Sequence, residues 1–129
     1  MELLSVVIII AILAALALPS YRDYVTRVQL SSALAEVAPS KTLMEYAVQG
    51  EVAPSLVDSD YLGLFHSVRC KSVAVSLTDR GVGTIGCTLS GTADVESRQL
   101  FLRRAEDGGW SCDASEFDEK YRPAGCRAL

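Results

Sequence analysis

The sequence predicts an α+β fold, in which a long kinked N-terminal α-helix packs on an antiparallel β-sheet of about four strands, with a disulfide-closed C-terminal loop. Three observations support it. A helical pattern of apolar residues continues to Gly50, and short segments with alternating apolar and polar residues begin at Ser72. Four cysteines occur in 129 residues, two of them near the C-terminus. Helix followed by strands indicates an α+β class, and this length allows one head domain.

The N-terminal segment is apolar over residues 3–18, interrupted only by Ser5 and preceded by Glu2. Its 16 residues would form a helix of about 24 Å, shorter than the roughly 20 residues that cross a bilayer. Including Tyr21 and Tyr24, which suit a membrane interface, makes up the difference. The sequence therefore predicts a membrane-length helix at the N-terminus.

Two other interpretations of this segment remain open. Ala15 and Ala17 resemble the small residues at a signal-peptide cleavage site, although Glu2 stands where such a peptide carries a basic group. An ordinary single-pass anchor would keep the apolar run without needing an acid at its tip. A carboxylate at the buried end of such a helix is costly and normally marks a functional partner, so Glu2 requires a cation.

An amphipathic helix is predicted to follow and to end at Gly50, a natural helix stop. Pro19 and Pro39 lie within the helical region and are expected to bend or loosen it, because proline removes a backbone donor and clashes with the preceding turn. The alternative is that Pro39 ends one helix and a second begins at Ser40. The apolar residues that recur at three- and four-residue steps are Val25, Val28, Ala33, Leu34, Val37, Leu43, Met44 and Ala47.

The remaining chain predicts a connecting loop over 51–71 and then a sheet. Alternation over Ser72–Leu77 and Thr84–Leu89, with turn residues between them, predicts a hairpin. Gln99–Arg104 is the third predicted strand and Gly109–Cys112 the fourth, with Trp110 packing over the sheet. The predicted boundaries are 1–24 for the hydrophobic helix, 25–50 for the amphipathic helix, 51–71 for the loop and 72–129 for the sheet and C-terminal loop, with 25–129 forming one head domain.

The four cysteines predict two disulfides, since an even number is typical of domains outside the cytoplasm. Three connectivities are possible, and we favour Cys112 with Cys126 and Cys70 with Cys87 because each pair closes a short loop. No C-x-x-C spacing occurs, and His66 is the only histidine, so we predict no metal and no cofactor.

The charge balance argues against a nucleic-acid-binding function, and the lack of catalytic motifs argues against an enzyme. A net charge of −4 and a pI near 4.9 disfavour a nucleic-acid surface, which usually has a clustered basic face. Arg98, Arg103 and Arg104 form the one local basic group, and the acids around them predict a solvated strand face. No nucleophile motif or phosphate loop occurs, so we do not expect an enzyme.

Both ends of the chain resemble type IV pilins. At the N-terminus the matching features are Glu2, the apolar run, Pro19, Tyr21 and Tyr24. The resemblance covers 2–24 and 108–126, is weaker over 72–107 and is absent over 51–71; it implies that the leader and first few mature residues of the family are missing here. The C-terminal residues that match pilins of the Pseudomonas kind are Trp110, Cys112, Tyr121, Pro123, Gly125 and Cys126.

The resemblance implies a structural subunit that polymerises into a surface filament for adhesion, twitching motility or DNA uptake. It implies that Glu2 neutralises the methylated N-terminal ammonium of a neighbouring subunit. The implied partners are copies of this chain, the inner membrane before assembly, and the prepilin peptidase, platform protein, minor pilins and outer-membrane secretin. The alternatives are a minor pilin, for DNA capture or for tip or priming roles, and a type II secretion pseudopilin.

Two further expectations follow from the resemblance. Ala11 replaces a glycine that the family often has, so any stretch that melts on assembly should lie close to Pro19. The stapled C-terminal loop is expected either to contact a host or other surface through exposed aromatics or to be a solvated, variable face. Its candidate residues are Asp113, Glu116, Phe117, Asp118, Glu119, Lys120, Tyr121 and Arg122.

Overall fold

A computed structural model describes residues 1–64 and 67–126. The predicted fold class is confirmed: a long bent N-terminal helical region packs on a four-stranded antiparallel sheet. His66 lies outside the described residues. The elements are α1 (Glu2–Val37), α2 (Ser40–Gln49), β1 (Cys70–Leu77), β2 (Gly83–Leu89), β3 (Gln99–Arg104) and β4 (Trp110–Asp113), with short 3₁₀ helices at Pro54–Leu56, Glu119–Tyr121 and Ala124–Cys126.

The helical region is interrupted at Ala38 and Pro39, and a second helix begins at Ser40, as in the alternative interpretation of Pro39. Both interrupting residues keep helical dihedrals, with φ −58° and ψ −40° at Ala38 and φ −61° and ψ −25° at Pro39. Pro39 has no N–H to donate. The next amides bond to carbonyls three residues earlier, as in a 3₁₀ turn: the Lys41 N–H donates to the Ala38 carbonyl at 3.2 Å. The buried Ser40 hydroxyl donates to the carbonyl of Val37.

α1 is continuous through Pro19, so proline does not break the helix there in the isolated subunit. A proline interrupts one backbone bond, and the remaining ladder keeps the helix together. The expected melting near Pro19 concerns the assembled state and stays a prediction.

The sheet is a meander with strand order β1-β2-β3-β4, and every neighbouring pair is antiparallel. β1 begins at Cys70, earlier than predicted, where Cys70 pairs with Leu89 and the register then shifts before Ser72. Helix α2 lies close to β2 at Gly83, where a Cβ atom would come within 2.5 Å of the Met44 sulfur. A glycine at this position therefore lets helix and sheet approach each other.

The core lies between the helices and one face of the sheet. Strand β2 contributes Ile85, Cys87 and Leu89, and the alternation of β3 directs Leu100 and Leu102 inward. The helical residues in this core are Leu30, Ala33, Val37, Met44 and Ala47.

The loop that joins α2 to β1 is attached to the head at both ends. Val57 and Leu62 are buried in the core. Near the start of β1, the Ser67 hydroxyl donates to the Glu36 carboxylate, and the backbone N–H of Arg69 donates to the same oxygen at 3.1 Å. A helix carboxylate thus fixes the point where the sheet begins.

The prediction of a solvated strand face is wrong for Arg104. Arg98 and Arg103 are exposed, but Arg104 is 8% exposed and lies on the same side of β3 as Leu100 and Leu102. Its guanidinium is buried because Glu45 of α2 and two backbone carbonyls accept its hydrogen bonds.

Candidate assembly surface and C-terminal loop

The N-terminal half of α1 contributes no buried residue in the described part of the chain, since the buried residues of this helix begin at Thr26. Every residue from 1 to 22 is exposed, including Ile8 at 53% and Leu13 at 60%. An 18-residue window of the helical region has a mean hydropathy of 2.7, with none of it buried, so it is apolar and long enough to cross a membrane. Exposed apolar surface of this extent normally marks a protein or membrane contact.

Glu2 lies in the first turn of this exposed helix. Within residues 1–64 and 67–126 its carboxylate forms no ion pair. The Ser5 hydroxyl donates to the Glu2 carbonyl at 2.8 Å, which satisfies a backbone group and leaves the carboxylate unaffected. A cation for Glu2 would therefore come from another molecule, and its role as a pairing residue stays a prediction.

The structure joins Cys112 to Cys126 and Cys70 to Cys87, the two pairings that we favoured. Their Cα atoms are 4.7 Å and 5.3 Å apart, within the usual range. One bond connects β1 to β2, and the other closes the C-terminal loop.

The expectation of exposed aromatics in the C-terminal loop is wrong. Phe117 is 2% exposed and belongs to the core, and Tyr121 is 7% exposed. The Tyr121 hydroxyl donates to Asp23 of α1 at 3.0 Å, and Arg27 of α1 donates from Nε to the Lys120 carbonyl, also at 3.0 Å. The loop turns its aromatics inward because they attach it to the helix.

The loop's outer surface is formed by charged side chains. Glu116, Asp118, Glu119 and Lys120 are exposed, and Arg122 is half-buried with its Nε donating to the Phe117 carbonyl. The Lys120 ammonium lies over the Tyr121 ring at 4.8 Å, and the Tyr121 hydroxyl followed by the charge of Asp23 raises the pKa of Lys120. In residues 1–64 and 67–126, no three His, Cys, Asp or Glu side chains lie close enough to hold a metal ion.

Asp113, the first of the candidate loop residues, is half-buried at the end of β4. Its carboxylate accepts a hydrogen bond from the backbone N–H of Ser115 at 3.0 Å and pairs with Arg103 at 3.2 Å. Hydrogen bonds from Ser115, and then Arg103, lower the pKa of Asp113. Asp113 thus fixes the beginning of the loop.

A polar cluster that the sequence did not predict connects α2 to the C-terminal end of β3. Arg104 pairs with both carboxylate oxygens of Glu45, at 2.5 Å and 3.3 Å, and donates to the Gly81 carbonyl at 2.7 Å. The Trp110 indole donates to Glu45 at 2.8 Å, so Trp110 is a hydrogen-bond partner as well as a packing residue. The Arg104 hydrogen bond, assisted by Trp110, lowers the pKa of Glu45, while Glu45 raises the pKa of Arg104.

A small disulfide-bonded head that carries a long, unburied apolar helix defines a class of protein, a subunit that buries this helix in an assembly or a membrane. The sequence matches the family of pilins, which form bacterial filaments, over residues 26–127. The chain belongs to this family.

The individual relatives include a type IV pilin and two fimbrial proteins. The type IV major alpha-pilin of Moraxella bovis is 34% identical, in an alignment covering 97% of this chain and 92% of that protein. Fimbrial protein EcpC of Eikenella corrodens is 38% identical, covering 98% and 86%. A fimbrial protein of Pseudomonas aeruginosa is 34% identical, covering 97% and 92%. The similarity therefore extends over the exposed helix as well as the head.

Proposed function

We propose that this chain is a structural subunit of a type IV pilus and polymerises through the exposed half of α1. The observation that carries the proposal is the exposure of every residue from 1 to 22, with an acid at the tip and a folded head at the other end. Before assembly this helix lies in the inner membrane, and in the filament it packs against other copies. The head forms the outer wall.

The physical basis of assembly differs from that of folding. Lipid tails are as apolar as leucine, so moving α1 from lipid into a bundle gains little from the hydrophobic effect. Packing between helices and the pairing of Glu2 must supply the preference. A carboxylate in an apolar core is tolerated only when paired, so Glu2 and the N-terminal ammonium of a neighbour set the register.

Assembly from a membrane pool requires processing, extraction from the bilayer and export. We therefore include the prepilin peptidase, platform protein, minor pilins and secretin as partners. Adhesion, twitching motility and DNA uptake are candidate roles of the finished filament. The net charge of −4 disfavours direct DNA capture by this subunit, and a gel-shift titration at low salt tests that role.

The C-terminal loop is a weaker candidate for adhesion than its sequence indicates, because its aromatics are buried. Its acidic outer side chains leave a charged contact as the remaining route to a receptor. A disulfide-closed peptide of residues 112–126 should compete with whole filaments for a surface if the loop is adhesive. Failure to compete would place adhesion elsewhere.

Intact-mass spectrometry of filaments sheared from native cells tests the proposed function. We expect a dominant species that contains this chain, is methylated at its N-terminus and is four hydrogens lighter than the reduced polypeptide, as two disulfides require. If the chain occurs only in membranes, the proposal fails in favour of a pseudopilin or an anchored domain. A trace amount in the sheared fraction indicates a minor pilin.

Glu2→Gln tests the pairing role within the same experiment. The amide keeps the size of the side chain but removes the charge, so we expect the subunit to be present in membranes and depleted from filaments. Glu51→Gln, at an exposed site in the head, is the matched control.

A further inference from the structure

A groove with both charged and apolar walls lies where α1 leaves the head, between the helix and the loop that joins β2 to β3. Two cavities of about 410 Å³ each form it, and Arg22 of α1 and Asp94 of the loop line both of them. Sites for small molecules are typically roughly 300–1,000 Å³ in volume, so the groove is large enough for a ligand. We call it the shoulder groove. Its apolar walls are formed by Leu18, Pro19, Val25 and Ala93.

The groove lies at the level of the membrane surface when the apolar part of α1 spans a bilayer. Arg22 stands 20 positions after Glu2 in one continuous helix. This separation is about 30 Å, close to the thickness of the hydrocarbon core. Tyr21 and Tyr24 are 67% and 63% exposed beside Arg22, as is typical of residues at a membrane interface. The groove therefore opens among the lipid headgroups.

The two charged groups that the cavities share have opposite signs and do not pair with each other. Within residues 1–64 and 67–126, neither Arg22 nor Asp94 forms an ion pair. Asp94 Oδ2 accepts a long hydrogen bond, at 3.4 Å, from the buried Thr26 hydroxyl. Asp23, at the edge of the groove, already accepts a hydrogen bond from Tyr121 and lies 3.7 Å from the Lys120 ammonium. In this part of the chain, the groove thus offers one cation and one carboxylate to a ligand.

We propose that the shoulder groove binds the headgroup of a zwitterionic phospholipid, phosphatidylethanolamine, with Arg22 on its phosphate and Asp94 on its ammonium. The inference rests on the proposed function, which places α1 in a membrane before assembly. A guanidinium can donate two parallel hydrogen bonds to a phosphate, and a primary ammonium has N–H donors for a carboxylate. An acyl chain then follows Leu18 and Ala15 towards the membrane, because both residues line the cavity nearer the apolar segment.

The opposite charges of the groove determine which headgroups fit. The anionic headgroup of phosphatidylglycerol would satisfy Arg22 but would bring a negative charge close to Asp94, with nothing to offset the repulsion. Phosphatidylcholine carries both charges, but its ammonium is fully methylated and has no N–H to donate to Asp94. Phosphatidylethanolamine is thus expected to bind better than either of the other two lipids.

Native mass spectrometry of the full chain, released from detergent micelles, tests the proposal. Each of the three lipids is added at the same concentration, and the fraction of chain that retains one lipid is measured. We expect phosphatidylethanolamine to be retained about tenfold more tightly than the other two, as the gain of one hydrogen bond between charged groups implies. Glycerophosphoethanolamine, which has the headgroup without acyl chains, should not compete at equal concentration because it lacks the apolar contact.

Two substitutions identify the binding groups. Arg22→Gln should weaken retention of phosphatidylethanolamine about tenfold. Asp94→Asn should abolish the preference for phosphatidylethanolamine over phosphatidylcholine, since a neutral amide does not pair with the ammonium. Arg80→Gln and Asp79→Asn, in the turn between β1 and β2, are the matched controls and should retain the lipid as the unmodified chain does. All four sites are exposed, so the melting temperature of the head should be the same in every variant.

The outcomes separate this inference from the proposed function. Equal retention of the three lipids, or equal losses in Arg22→Gln and Arg80→Gln, overturns the inference. Tighter retention of phosphatidylglycerol also overturns it, because it indicates a general attraction to anionic surfaces. Equal competition by glycerophosphoethanolamine overturns the lipid assignment in favour of a soluble headgroup, and dimers without lipid overturn it in favour of a second copy of the chain.

None of these results affects the proposed function, which depends on finding the chain in sheared filaments. A chain that binds phosphatidylethanolamine as expected but never enters filaments would contradict the proposed function and leave the lipid site standing.

Discussion

At the scale of single residues, Arg104 is the charged side chain with the most demanding environment. It is the only charged residue that is buried among residues 1–64 and 67–126. A buried guanidinium is stable only when its donors are satisfied, and Glu45 with the Gly81 and Ala105 carbonyls provides this. Glu45 therefore determines whether α2 can pack on the end of the sheet.

Glu45→Gln should destabilise the head by about 2 kcal/mol, because a hydrogen bond to a charged group is lost and Arg104 stays buried with a neutral partner. Urea unfolding of the full chain in detergent, followed by tryptophan fluorescence, measures this. Trp110 reports on the cluster itself, since its indole donates to Glu45. Glu106→Gln, at an exposed site, is the control and should change stability by no more than a few tenths of a kcal/mol. Equal stability of the two variants would contradict this prediction.

The same pair predicts a pH dependence. Arg104 lowers the pKa of Glu45 in the folded state, so the folded chain binds fewer protons than the unfolded one. The stabilisation is complete above the unfolded pKa of about 4.3 and is lost as the pH falls through the lower, folded pKa. The difference in unfolding free energy between the unmodified chain and Glu45→Gln should therefore be constant from neutral pH to about pH 5 and then shrink towards pH 3. A difference that grows on acidification would show that the sign is wrong.

Phe117→Ala should cost about 3 to 5 kcal/mol, as for other large buried aromatics, although its position in a polar loop predicts a harmless change. Lys120→Ala, in the same loop and exposed, should have little effect. Thermal unfolding monitored by circular dichroism measures both variants. An equal, small effect of the two would mean that the loop is detached from the core in solution.

At the scale of elements, periodicity predicted the regular structure and failed where the chain is irregular. The three- and four-residue spacing identified the helices, and alternation identified the first two strands. Arg104 lies on the same face of β3 as Leu100 and Leu102. Its charge nevertheless led to the prediction that its side chain is exposed to solvent. Its partner Glu45 lies 59 positions away, and no local pattern connects them. Loop residues such as Phe117 have no periodicity that distinguishes an inward from an outward side chain.

Two independent interactions attach the C-terminal loop to the head: the Cys112–Cys126 disulfide and the packing of its buried aromatic side chains. Replacing both cysteines by serine should lower the unfolding free energy by about 3 kcal/mol, from the loop entropy regained by the unfolded chain. Because Phe117 and Tyr121 keep their contacts, we expect the native loop to stay resistant to limited proteolysis below the unfolding transition. Rapid cleavage within 113–125 under native conditions would mean that the disulfide alone holds the loop.

At the scale of the whole molecule, α1 combines two environments in one helix. Its 36 residues extend about 54 Å, and the exposed part before Asp23 accounts for roughly 30 Å, close to the thickness of a bilayer core. The subunit therefore fits a membrane without unwinding. In a filament, neighbouring helices must pack side by side and their larger heads must also fit together. We therefore expect any change in the shape of the subunit on assembly to occur where α1 leaves the head, near Pro19.

We predict that α1 unwinds within about one turn of Pro19 in the assembled filament and stays helical through Ala11. Pro19 already lacks the N–H that would bond the Ala15 carbonyl, so unwinding there breaks fewer hydrogen bonds than elsewhere. Ala11 is a strong helix former, and free backbone groups in an apolar filament core are costly. A filament map at side-chain resolution tests this, with Pro19→Ala filaments as the comparison, in which the helix should be continuous. Continuous helix from Ala17 to Tyr21 in unmodified filaments would contradict the prediction and require the heads, rather than α1, to absorb the mismatch.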